Sequence, residues 1–154
     1  MTEPAKSRTR RELLESLDTT WALYPKRLQQ LPDAEQVRFA QQQGYASSQD
    51  LLAHLGAWME ETLRVMPYLR RDEKPPRDYR DDDEFNARAV QRFAEQSRTT
   101  VEAWYEQQRL ALKHLVEQLS DDDFAQRRVY RWLVGTIVEH YDEHPLPTQE
   151  SYNP

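Results

Sequence analysis

Leu14, Leu17, Trp21, Tyr24, Leu28 and Leu31 follow one another at alternating spacings of three and four. A helix of 3.6 residues per turn brings such positions onto one face, so this stripe predicts a helix from about Thr9 to Leu31. Pro25 lies inside it and predicts a kink near Trp21; Pro32 ends it. The same period returns in a second long helix, capped by Ser47 or Ser48, whose apolar positions are Leu51, Leu52, Leu55, Trp58, Met59, Val65, Met66 and Leu69. Pro67 predicts fraying or a bend in its last turn. A short helix, Asp33 to Gln41, fits the connection before Gly44. A third long helix reads from about Glu84 to Leu119, with a break near Ser97-Arg98-Thr99, and Ser120 can cap a short turn after it. A fourth reads from Val129 to about Glu143, stopped by Pro145 and Pro147.

Strand signals are poor, and three glycines among 154 residues leave little for a fold of many tight turns. The expected class is all-α. Hydrophobic residues at 38% against 31% charged suit long helices with solvated outer faces. Segment 71–83, with Pro75-Pro76 and alternating charges, reads as an extended loop able to carry one longer crossover in an otherwise up-down four-helix bundle. The length suits one domain, with a core over about 9–145 and a polar tail at 146–154.

The formal net charge of −6, with the only dense basic cluster at Arg8, Arg10 and Arg11, argues against a nucleic-acid partner. No apolar run approaches 18 residues, and Thr2-Glu3-Pro4-Ala5-Lys6 is polar, so neither a membrane span nor a signal peptide is expected and a cytoplasmic location is the default. The chain has no cysteine, hence no disulfide, thiolate ligand or cysteine nucleophile.

The four histidines are the informative residues. His140 and His144 stand at i and i+4, where two imidazoles can reach one ion. His54 falls on the apolar face of the second helix, three after Leu51 and four before Trp58. A lone inward histidine is commonly a hydrogen-bonded core residue, and an isolated H-x-x-x-H is weak; the metal reading rests on three inward histidines together. His114 reads as structural or exposed.

Gly44-Tyr45-Ala46-Ser47-Ser48-Gln49-Asp50-Leu51-Leu52-Ala53-His54-Leu55-Gly56-Ala57-Trp58 resembles the second-helix signature of the DinB-like four-helix-bundle superfamily. Gly135-Thr136-Ile137-Val138-Glu139-His140-Tyr141-Asp142-Glu143-His144-Pro145-Leu146-Pro147 resembles its last helix, and Phe85-Asn86-Ala87-Arg88-Ala89-Val90 the start of its third. The resemblance spans roughly residues 10 to 147. It implies that His54, His140 and His144 hold one divalent metal ion near one end of the bundle. Pro145 departs from the pattern, which usually has Leu after the last histidine.

Three neutral imidazoles leave a coordination position open, the arrangement of a catalytic rather than a structural site. The implied metal is zinc or nickel before iron or manganese, with a low-molecular-weight thiol as a further candidate cofactor. The implied partner is a small electrophilic substrate, processed by hydrolysis or thiol S-transfer. A noncatalytic metal- or ligand-binding stress-response bundle is the alternative, and a homodimeric module with an idle site is a third reading. Glu61, seven residues after His54, is the candidate general base, against a plain solvent-facing glutamate. Asp50 is placed to orient His54, or simply charges the helix start. Asn86 and Tyr45 line the pocket mouth by resemblance, with turn and staple roles as alternatives. Glu143 and Tyr141 flank the ligands but are expected to point away, by about 100° per residue. Trp21, Trp58, Trp104 and Trp132 can serve as pocket walls or as plain core.

Overall fold

The structure, a computed structural model, describes residues 7–147, which form seven helices and no strand. Helix α1 runs without interruption through Arg10–Ser16, a π-helical turn at Leu17–Trp21, and Ala22–Gln29. Then follow α2 (Asp33–Gln42), α3 (Ser48–Arg70), α4 (Asp82–Phe93), α5 (Arg98–Gln118) and α6 (Asp121–Ala125). Helix α7 joins Arg127–Val134, a second π-helical turn at Gly135–Glu139, and His140–Glu143. No described helix is long and apolar enough to cross a membrane.

Side-chain caps set where the helices begin. Thr9, Ser47, Asp81, Ser97, Ser120 and Gln126 each accept a hydrogen bond from the backbone N–H three residues on. Each such cap satisfies one donor that the first turn would otherwise leave open. The cap at Ser97 divides the expected third helix in two. Gln49 Nε2 holds that division by donating to the carbonyls of Phe93 and Gln96.

Neither internal proline ends its helix. Pro67 is carried inside α3, which continues to Arg70. Pro25 has no N–H to return to the carbonyl of Trp21 four residues back, and the Tyr105 hydroxyl donates to that carbonyl instead, at 2.8 Å. The distortion expected near Trp21 is the π-helical turn itself. Its first carbonyl, on Leu17, accepts a further hydrogen bond from Arg109 Nη1.

Long-range hydrogen bonds give the helix directions. Gln126 Nε2 reaches Leu69 O, Thr62 meets Thr136 at 2.6 Å, and His54 meets His140, so α7 is antiparallel to α3. Arg10 caps the carbonyls of Val116 and Leu119 while Trp21 O meets Tyr105, so α1 is antiparallel to α5. Arg98 bonds to Ser48 and Trp104 Nε1 to Glu60, so α5 runs in the same direction as α3. The segment 71–81 and α4 make this possible, because α4 returns along α3: Asn86 meets Trp58, Arg92 meets Glu60, and Phe93 meets Gln49.

The core between these helices contains Trp21, Tyr24, Tyr105, Met59 and Met66 with leucines from every long helix, all fully buried. Leu13 is buried and Leu14 only partly, so the expected α1 stripe begins one residue earlier than its 3–4 spacing indicated. Leu146 packs against the core as well, so the expected tail does not start on the surface. Residues 148–154 of that tail and the N-terminal residues 2–6 lie outside the described residues.

At Gly56 the Trp104 indole of α5 lies directly on the backbone of α3: a Cβ there would fall inside the van der Waals envelope of that ring. Gly56→Ala gains about 1 kcal/mol of helix propensity but meets an overpacking cost of about 1–3 kcal/mol. A lower melting temperature is expected by circular dichroism. Gly135→Ala is the control, since its added methyl meets only Glu139 Oε2 at 3.9 Å; it should melt no lower than the parent. Equal melting of the two variants would contradict this packing.

Candidate metal centre

The histidines meet at the end of the molecule where α3 begins and α1 and α7 finish. His54 lies in the second turn of α3. His140 follows the π-helical turn of α7, and His144 is the residue that ends it, with φ −128° and ψ 46°. One extra residue in a helix turns everything after it by about 100°, so the π-helical turn decides which way His140 faces. Two hydrogen bonds from α1 fix this stretch: Trp21 Nε1 donates to Ile137 O at 2.8 Å and the Tyr24 hydroxyl to His144 O at 2.7 Å.

His140 Nε2 lies 2.8 Å from His54 Nε2, which lies 3.1 Å from His144 Nε2. The three rings are 4, 8 and 9% exposed for His54, His140 and His144. Their other nitrogens show where the protons are. His54 Nδ1 is 2.9 Å from Asn86 Oδ1, and the same oxygen accepts from Trp58 Nε1 at 2.9 Å. An indole N–H only donates, so that Asn86 atom must be the oxygen and His54 must carry its proton on Nδ1. His144 Nδ1 in turn faces Gln43 Oε1 at 2.8 Å. Two Nε2 lone pairs therefore face each other with no proton between them, and the single ring proton of neutral His140 can serve only one neighbour.

Burial pushes the His54 imidazole down to about 3, helped by the neighbouring His144 and opposed by the Asn86 hydrogen bond. Burial likewise lowers His140, to about 2, with His54 and His144 adding to the effect, and it lowers His144 too. The rings are thus neutral near pH 7. Converging, buried, neutral imidazole nitrogens form a donor set that fits a divalent transition-metal ion, and the three ligand atoms all lie within 4.8 Å of one another.

His54 and His140 also line an open cavity of about 400 Å³, walled by Trp58, Trp132 and Thr136. Asp82, Arg131, Glu139 and Glu143 bring charge to it.

Other expected positions fall differently. Glu61 is not beside the histidines: seven residues along a helix is about 10 Å of rise, so it shares the face of His54 two turns further on. Nor is it solvent-facing. It is buried, paired with Arg64 at 2.5 Å and accepting from the Tyr79 hydroxyl at 3.1 Å, and it lines a separate depression. Asp50 sits in the capped first turn of α3, and Asn86 orients His54 in its place. The Tyr45 ring packs at a tilt of 32° against the His54 ring, with centroids 4.9 Å apart. Glu143, expected to point away, lines the cavity, whereas Tyr141 packs edge-on against Trp21 and Tyr24. His114 is exposed. Among the tryptophans, Trp58 and Trp132 are walls, Trp21 is core, and Trp104 packs on Phe93. Sequence reasoning missed Gln43, Glu139, Arg131 and Asp82; only the position of Glu139, beside His140, offered a signal.

A family model described as the DinB superfamily matches residues 16–145 of the chain. No curated protein and no solved structure matches it.

With folded values depressed below the ordinary 6.5, the three rings take up protons on unfolding before they do so in the native protein. Their contribution to stability is present above about pH 6.5 and is lost as pH falls below it. The melting temperature of metal-free protein should therefore drop between pH 7.5 and 5, and less steeply in His140→Gln. Identical slopes in parent and variant would show that the ring carries no such linkage.

Proposed function

The chain belongs to the DinB superfamily, and on that premise we propose that His54, His140 and His144 hold one divalent metal ion, zinc or nickel, at the working centre of a metal-dependent enzyme. Its substrate is a small electrophilic molecule, consumed by hydrolysis or by transfer to a low-molecular-weight thiol. The observation that carries this is the placement of ring protons. Asn86 and Gln43 draw them to Nδ1 on two rings, leaving Nε2 lone pairs pointed at one place. Orienting acceptors of this kind commonly account for 10–100-fold of metal affinity.

The fold reading goes with it. Helices α1, α3, α5 and α7 are taken as the four members of the family's bundle, with segment 71–81 and α4 as its longer crossover. This arrangement supplies Asn86 from the crossover and Gln43 from the end of α2.

A divalent ion in this position would lower the pKa of a water or thiol bound to it and so supply a nucleophile near neutral pH. The chain's own residues do the rest. His54 and His140 present their edges to the cavity, while Trp58 and Trp132 give it apolar walls that exclude bulk water from one side. Glu139 and Glu143 line the cavity from α7, whereas Glu61, the base expected from the sequence, is engaged with Arg64 and Tyr79. Lacking cysteine, the protein would take any sulfur nucleophile from a small molecule.

Elemental analysis of untagged protein should find one divalent ion per chain, absent from His140→Ala. An ion at one hundred times its dissociation constant adds about 2.7 kcal/mol to stability, so chelation should lower the melting temperature by about 5–10 °C. Unchanged melting and no bound metal would overturn the site. Metal-dependent turnover across a panel of thiols and electrophiles, lost in His140→Ala, separates the enzyme from a noncatalytic binding bundle.

A further inference from the structure

Two other depressions, of about 180 and 250 Å³, are also lined by carboxylates, and in both every lining carboxylate is paired with an arginine of the same wall. Glu60 meets Arg92 at 2.6 Å, Glu61 meets Arg64 at 2.5 Å, Asp78 meets Arg88 at 3.4 Å, and Asp123 meets Arg70 at 2.9 Å. The histidine cavity breaks this pattern. Asp82, Glu139 and Glu143 line it with no ion-pair partner among the described residues, although Arg131 lines it too.

Two of these carboxylates stand where a helix tolerates them least. Glu139 and Glu143 are four residues apart in the closing turns of α7, at the negative end of the helix dipole, and they repel each other across one turn. Glu139 Oε2 lies over the bare backbone of Gly135, along the cavity wall. Beside them are the Trp58 and Trp132 rings, with centroids 6.5 Å apart, whose faces attract cations. His140, 8% exposed, lines the same cavity, and its Nδ1 has no hydrogen-bond partner among the described residues.

We infer that the small molecule this cavity admits carries a cationic group, such as a primary ammonium, seated between the tryptophan faces and the Glu139 and Glu143 carboxylates. Its other end reaches the histidine cluster. The inference rests on the metal-centre reading above. Asp82 has the N-terminal dipole of α4 beside it, so Glu139 and Glu143 are the lining carboxylates left to meet a cation. An anionic tail would meet the Glu139 and Glu143 carboxylates, with Arg131 as the one arginine lining the cavity.

Calorimetric titration of cysteamine, 2-mercaptoethanol and 3-mercaptopropionate into zinc-loaded and metal-free protein tests this. The probes share a thiol and a two-carbon spacer and differ in the charge at the far end. Cysteamine should bind zinc-loaded protein most tightly and 3-mercaptopropionate least. The preference for cysteamine over 2-mercaptoethanol should fall about tenfold in Glu139→Gln/Glu143→Gln, a comparison in which the intrinsic differences between the thiols cancel. That variant should melt no lower than the parent, because it removes a like-charge pair from a helix end. An unchanged preference in the variant, or equal affinities of all three probes for zinc-loaded protein, overturns the inference and leaves the metal reading standing. Tightest binding of 3-mercaptopropionate overturns it too and gives the selection to Arg131. Charge discrimination that is the same with and without zinc upholds the inference and overturns the thiol-on-metal reading. No heat from any probe overturns both.

Discussion

Three buried imidazole edges brought to one point form an arrangement that a folded chain does not reach for its own stability. Each Nε2 has been taken from water, and at least two present lone pairs to one another. Burying acceptors without donors costs about 1–3 kcal/mol each, so the surrounding structure must hold them against that penalty. It does so with pieces that have no other evident reason to meet. Gln43 arrives from the end of α2, Asn86 from the crossover helix α4, and the Tyr24 hydroxyl from α1 to hold the carbonyl of His144. Parallel placement of α5 and α3 obliges the chain to travel back along α3, and α4, which makes that return, carries the acceptor for His54.

The two π-helical turns belong to the same construction. They lie on α1 and α7, which run side by side in the same direction, and they are joined where Trp21 Nε1 donates to Ile137 O. Such turns loosen the regular ladder, and neighbouring helices reinforce it: Arg109 adds a hydrogen bond to Leu17 O, and Tyr105 takes up the Trp21 O that Pro25 leaves free. Arg109 is itself nearly buried, its charge met by Glu106 and Asp18. A long-range network thus maintains a local distortion whose visible product is the direction in which His140 points.

How much of this was legible depends on what periodicity can encode. Apolar spacing announced every long helix, because burial of a stripe dictates which residues recur, and serine caps marked several starts to within a residue. The histidine trio was legible for the same reason, since His54 interrupts an apolar face and His140 and His144 share one turn. Spacing does not encode height along a neighbouring helix, which is why Glu61 shared the face of His54 and yet met Arg64 and Tyr79 instead. Nor does it reveal a single wide turn: a step of four between Leu17 and Trp21 fits both the regular and the π geometry. Gln43 stands in a run of three glutamines with no pattern to single it out. Glu143 was misplaced because the cavity opens along the flank of α7, so a residue turned 100° from a ligand still reaches it.

Where sequence and local physics disagree is the more informative signal. Most of the acidic surface follows ordinary rules: α4 opens on Asp82, Asp83 and Glu84, where a helix dipole welcomes negative charge, and arginines one turn away pair with glutamates on α1, α4 and α5. Glu139 and Glu143 violate the same rules in the closing turns of α7, on either side of His140, with no ion-pair partner among the described residues. One neutral substitution would relieve both the dipole and the mutual repulsion, by a few tenths of a kcal/mol each at about the scale of a surface pair. Positive charge arriving from outside the chain would offset both, first as an ion at the imidazoles and then as part of whatever enters after it.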